Sequence, residues 1–187
     1  MSACSGGTPA QSACGSSRSG DGACPFERFG RMIPNCLEYA TAAKAQGRPV
    51  VGILCEFTPR EILLAAGAVP VCLCGGSAKM VPPAERELPA NLCPLIKSTY
   101  GYHLEKKNAF LEMADLVVAE TTCDGKKKMY ELLAASRPMH VLELPQKPDE
   151  PDAFDHWLRE LGCLRRNWSA ASASASPTRA SARPSGR

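Results

Sequence analysis

Cys55, Cys93 and Cys123 are the residues in this chain best placed for metal chemistry. Cys55 closes the apolar run PVVGILC. Cys93 stands directly before Pro94, and Cys123 follows LVVAETT and precedes DGKKKMYELL. If the apolar runs are strands followed by helices, each thiol lies near a helix N-terminus, where free N–H groups and the dipole favour an anion. That setting also lowers a thiol pKa, and the thiolate is the form that binds metal. Three thiolates converging from separate loops predict an iron–sulfur site. Their spacings of 38 and 30 residues fit no compact ferredoxin motif. At any one position, a buried cysteine acting as a small apolar residue is the alternative. Zinc is another, although it usually takes four ligands and often a close cysteine pair. The close pair here is Cys72 and Cys74. It is expected to alternate on a strand with side chains on opposite faces, so that Cys74, nearer the strand end, joins as the weaker fourth candidate. Cys36 and Cys163 lie on helical patterns and read as packing residues.

Several polar residues flank these thiols. Glu56, Glu120, Thr121, Thr122 and Asp124 are candidates to bind substrate or to support the metal ligands. Helix capping by Thr122 or Asp124 explains them as well. Ser98 and Tyr100 follow Cys93 on a predicted helix and face either the site or solvent. Lys126 opens a run of three lysines at a predicted helix start, where cations oppose the dipole. That mismatch points to a role for Lys126 with an anionic substrate or partner, against the alternative of a solvated helix turn.

The elements that must position these residues alternate. Residues 25–48 carry apolar side chains at three- and four-residue steps and predict a lead-in helix. PVVGILC predicts a strand buried on both faces. Thr58-Pro59-Arg60-Glu61 reads as a capping box opening a helix that Gly67 closes. AVPVCLC predicts the next strand, Pro94 a helix to about Leu104, and Phe110–Met113 a further turn. LVVAE, DGKKKMYELLAAS and MHVLEL predict strand, helix and strand, with a last helix from about Asp152 to Arg166. Alternation at this pitch predicts an α/β fold, a Rossmann-like, mainly parallel sheet flanked by helices.

Three segments follow: 1–24, 25–166 and 167–187. Residues 1–24 carry Cys4, Cys14 and Cys24 in a Ser/Gly/Ala-rich stretch and read as a disordered extension rather than a metal-binding arm. Residues 25–166 form the cluster-binding domain. Residues 167–187 read as a low-complexity tail, either a disordered linker or the trace of a truncation or frame shift. The net charge of +3 resides in the five arginines of residues 164–187, a stretch without acids, so the rest is mildly acidic and nucleic-acid binding is not expected. The longest apolar runs fall far short of the ~20 residues of a membrane span, and the N-terminus lacks a secretory signal. A cytoplasmic location is expected.

Three blocks then become specific. CEFTPREILLAAGAVPV, LPANLCPLIKSTYGY and ADLVVAETTCDGKKKMYELLA resemble the signature blocks of the 2-hydroxyglutaryl-CoA dehydratase component D family. That family includes benzoyl-CoA reductase subunits and double-cubane cluster proteins, and the resemblance covers roughly Arg48 to Gln146. It implies Rossmann-like domains and a [4Fe-4S] cluster, or a double-cubane [8Fe-9S] cluster, on Cys55, Cys93 and Cys123, with Cys74 the weaker match. It also implies an acyl-CoA substrate, a homologous second subunit or a second copy, and an ATP-hydrolysing iron–sulfur activator as electron donor. The reaction implied is radical dehydration of a 2-hydroxyacyl-CoA, with ATP-dependent reduction of a small molecule and an inactive truncated fragment as alternatives. Members of the family are longer and carry a second Rossmann-like domain with further ligands.

Overall fold

The computed structural model describes residues 25–174, with side chains from Phe26 to Trp168. The expectations for residues 1–24, their cysteines included, and for 175–187 lie outside this range. The chain divides into two compact units, one ending at Cys36 and the other beginning at Leu37. The first unit holds α1 (Pro25–Gly30) and the start of α2 (Met32–Ala45), with Phe26, Phe29, Met32 and Ile33 exposed. The single lead-in helix expected for residues 25–48 is thus two helices.

The second unit is built on four parallel strands: β1 (Val50–Leu54), β2 (Val69–Cys72), β3 (Leu116–Glu120) and β4 (Met139–Leu142), in the order β2-β1-β3-β4. Strands of Val, Ile and Leu with no charge before Glu120 suit a sheet covered on both faces. The alternation of a strand's side chains divides the core. Val50, Leu54, Val117 and Ala119 pack on one side with Ala40, Ile96, Tyr100, Met129 and Leu133. Val51, Ile53 and Val118 pack on the other with Leu63, Leu142, Leu164 and Trp168. The helices that cover these faces are α3 (Arg60–Ala65), α4 (Val81–Ala84), α5 (Pro94–Leu104), α6 (Ala109–Met113), α7 (Asp124–Ala134) and α8 (Ala153–Ser174). The fold class is the α/β sandwich that the sequence predicts.

Two local expectations fail. Thr58 does not cap α3; Pro59 occupies the cap position and no side chain bonds there. The Thr58 hydroxyl instead donates to Glu120 Oε1 at 2.8 Å, because β1 and β3 run side by side and carry the two residues to the same end of the sheet. The last helix runs on past Arg166 to Ser174, through Ala and Ser with neither Gly nor Pro to stop it. Its Leu164 and Trp168 are buried against the sheet, which anchors the extension. Gly67 does end α3, at φ +78°, in the left-handed region glycine favours.

The strand order places β1 and β3 in the middle, with the chain proceeding from β1 to β2 on one side and from β3 to β4 on the other. The topological switch point therefore falls between β1 and β3, where ligands of open parallel sheets bind beyond the strand ends. Cys55 follows β1 and Cys123 follows β3.

Candidate functional site

Cys55 is half-buried and has φ +86°, a left-handed conformation uncommon for a residue with a Cβ. It turns the chain out of β1 five residues before α3 begins, so it does not sit at a helix N-terminus as expected. Its electrostatic partner comes from elsewhere: the Lys126 ammonium hydrogen-bonds Cys55 Sγ from the first turn of α7. Lys126 Nζ also donates to Thr122 Oγ1 at 2.8 Å, and that hydroxyl lies 3.8 Å from Cys55 Sγ. Thr122 thus steers the lysine instead of capping α7, whose cap position is held by Cys123.

Cys93 holds the cap position of α5, which has no side-chain cap of its own. The backbone N–H groups of Ile96 and Leu95 at the start of that helix lower its pKa, and the charges of Lys126 and Lys97 act in the same direction. The loop before Cys93 closes on α7: a Cβ on Gly125 would stand 2.7 Å from Leu92 Cδ1. A side chain at position 125 would therefore require Leu92 to shift.

Cys74 lies just beyond β2 and, with Cys55, Lys126, Thr99 and Tyr130, lines a cavity of about 70 Å³. The expectation that Cys72 and Cys74 face opposite ways is wrong. Residues two apart in a strand share a face, and the two thiols interact. A hydrogen bond from Cys74 pulls Cys72 down to about 6, while the Cys74 thiol is raised by the same bond and by burial. The pair holds one proton between them, because a second thiolate would stand beside the first. Cys72 is therefore a thiol at the rim that sequence reasoning set aside. The period-two rule could have found it.

Lys126 joins the set. Partial burial disfavours its charged form, but the Cys55 sulfur and the negative charges of Cys55, Cys123 and Cys74 raise its pKa overall. One ammonium group thus senses Cys55, Cys74 and Cys123, and itself acts on Cys93. Lys127 and Lys128 do not share this role; they pair with Asp124 at 3.3 Å and Glu131 at 2.6 Å on the solvent side of α7.

The remaining candidates disperse. Glu56 is exposed and pairs with Arg60 at 3.0 Å. Ser98 is buried and accepts from Ser77 N at 2.8 Å, so it fixes the segment after β2 rather than facing the thiols. Tyr100 is buried too and donates to Glu87. Thr99, between them, lines the cavity together with Leu95 and Ile96 of the same helix. Glu120 is fully buried beneath the rim. Cys36 is exposed and Cys163 half-buried, so packing does not account for Cys36. A larger cavity of about 400 Å³ lies beyond β4, beside Lys127, His156 and Arg159, and none of the thiols lines it.

The class these features define is a Rossmann-like α/β domain with a thiol-bearing rim at its switch point. The family model for the 2-hydroxyglutaryl-CoA dehydratase D-component matches residues 55–170. A protein of Escherichia coli (strain K12), YjiM, whose name marks it as a conjectured dehydratase subunit, is 49% identical over 141 residues, covering 75% of this chain and 37% of its own. The chain belongs to the 2-hydroxyglutaryl-CoA dehydratase D-component family, and it spans little more than a third of the length of that curated relative. Among the described residues no helix is long and apolar enough to cross a membrane.

Proposed function

We propose that this chain is an iron–sulfur subunit of a 2-hydroxyacyl-CoA dehydratase-like enzyme, with Cys55, Cys93 and Cys123 as the ligands and Cys74 beside them. The carrying observation is that Lys126 reaches Cys55 Sγ and Thr122 Oγ1 from the helix that follows Cys123, beside a cavity lined by Cys55 and Cys74, at the switch point of a chain of this family. Among the described residues no three His, Cys, Asp or Glu side chains are arranged to hold a metal ion. Zinc, which gathers its ligands on one ion, is poorly served by that arrangement. A cluster of several irons takes each thiolate on a different iron and suits donors standing around a space rather than at a point. The donor set also fits in kind: soft sulfur, with an ammonium to balance negative charge.

When bound, such a cluster supplies the single strongly reducing electron that a thioester carbonyl needs before an unactivated hydroxyl can leave. This chain's own residues do the rest. The N–H groups of Leu95 and Ile96 favour the thiolate form of Cys93. Thr122 keeps Lys126 aimed at Cys55. Leu54, Leu95, Ile96 and Met129 give the cavity beside Cys55 and Cys74 an apolar wall. An ATP-hydrolysing iron–sulfur activator would deliver the electron, and a homologous second subunit or a second copy would complete the acyl-CoA site, in the cytoplasm.

A double-cubane reductase is the second reading, favoured by Cys72, which adds a further thiol to the rim. Anaerobic reconstitution with iron and sulfide, followed by iron counting and EPR, tests both. About four irons per chain, lost on Cys55→Ser or Cys123→Ser, supports the dehydratase-like site, and about eight supports the double cubane. No iron at all would leave a non-catalytic fragment and end the proposal.

A further inference from the structure

Thr58 and Glu120 have no place in the chemistry above, yet they are among the most deeply buried polar residues of the domain, 3% and 0% exposed. Thr58 Oγ1 donates to Glu120 Oε1 at 2.8 Å, and Glu120 Oε2 is buried with no partner. Burying a carboxyl for a single hydrogen bond is poor stabilisation, since a well-packed apolar pair would cost less. What the bond does provide is a fixed distance between two loops. Thr58 lies three residues after Cys55, and Glu120 three residues before Cys123. The Glu120 carbonyl is pinned as well, by Tyr130 Oη at 3.1 Å and by Thr122 N at 2.9 Å. On the other side, Cys55 holds its left-handed backbone only if the chain beyond it is fixed.

We infer that the buried Thr58–Glu120 bond is a clamp that sets the separation of Cys55 and Cys123, making both positioning residues for the thiol site rather than substrate-binding groups. The inference rests on the reading above that Cys55 and Cys123 act together. The clamp crosses the switch point beneath the rim, where β1 and β3 are paired from Val51–Leu116 to Leu54–Ala119 but their continuations are not. Beyond the last ladder pair, nothing in the sheet itself holds the two cysteine loops in register. The hydroxyl–carboxylate bond does so from below, and Lys126 with Thr122 does so from above.

The test uses the full chain without iron. A short bis-maleimide is applied, and the Cys55–Cys123 crosslink is quantified by peptide mass spectrometry, with the Cys72–Cys74 crosslink as internal control. Thr58→Val, nearly equal in volume, removes the donor and is expected to lower the Cys55–Cys123 yield roughly fivefold, as loss of one buried hydrogen bond would. Thr58→Ser keeps the hydroxyl and is expected to retain the yield, while the control pair stays constant in both. An unchanged yield in Thr58→Val, an equal fall in the control pair, or a Thr58→Ser yield as low as that of Thr58→Val would overturn the clamp. Because no metal is present in the measurement, failure of the wild-type chain to take up iron would end the cluster reading and leave this result standing.

Discussion

Lys126 reaches from the first turn of α7 to the sulfur of Cys55, across the gap between the ends of β1 and β3. A cation at a helix N-terminus opposes the helix dipole. The nearby thiols offset that opposition, and the residue makes sense only with them. It is the member of the lysine run that points inward, since Lys127 and Lys128 find carboxylates in solvent.

Lys126→Met is therefore expected to slow alkylation of Cys93 at fixed pH, since the thiolate is the reacting form and one of the cations that lower its pKa is gone. The effect should be modest, because the N–H groups of Ile96 and Leu95 contribute more than the charge. Lys126→Arg should keep the wild-type rate. Iodoacetamide kinetics at Cys93, read by peptide mapping across pH, measures this; a rate indifferent to Lys126→Met would separate Cys93 from the shared site.

Cys72 and Cys74 should alkylate in two unequal steps. With its pKa near 6, Cys72 is a thiolate at neutral pH and reacts first, its rate falling as pH drops through that value. Cys74, raised by its bond to Cys72 and by burial, reacts slowly until the first thiol is consumed. In Cys72→Ser the thiolate neighbour is absent from the start, so Cys74 should react faster than in the parent. Stopped-time labelling with mass detection distinguishes this order from two equivalent thiols.

Gly101→Ala should damage the domain and the Cys93 helix together. A Cβ at this position would stand 1.8 Å from the Met80 carbonyl oxygen, a backbone atom that cannot rotate away. The segment Ala78–Met80 and α4 pack against α5 at this point, so one of them must move. A loss of about 3 kcal/mol is expected, at the upper end of overpacking costs. Urea denaturation followed by circular dichroism gives the number; a loss below about 1 kcal/mol would mean that this contact is not as close as described.

Trp168→Ala probes the last helix. Trp168 is 6% exposed and packs with Leu164, Leu142 and Val118. Its truncation should cost about 3–5 kcal/mol, where a side chain in a disordered tail would cost nothing measurable. Thermal melts of the two chains decide between them.

Much of the frame was legible before any coordinates. The switch from short continuous apolar runs to helical patterns located the four strands of the described residues, and Pro94 and Gly67 marked a helix start and a helix end where they occur. These signals are local, carried by the φ/ψ demands of Pro and Gly and by burial on both faces of a parallel strand. The short helix at Val81–Ala84 was not assigned, although a helix's first turn tolerates its consecutive prolines.

By itself, the sequence determined the fold class, the family and the placing of Cys55, Cys93 and Cys123 at strand ends or helix starts, because each follows from neighbours in the chain. Only the tertiary structure decided which polar groups meet. Thr58 was drawn from a cap to Glu120, Ser98 and Tyr100 were turned to structural partners, and Lys126 was singled out from three adjacent lysines. The Thr58–Glu120 and Lys126–Cys55 pairings span loops that strand order alone brings together, and a hydrogen bond of a few ångströms depends on a register that no local pattern encodes.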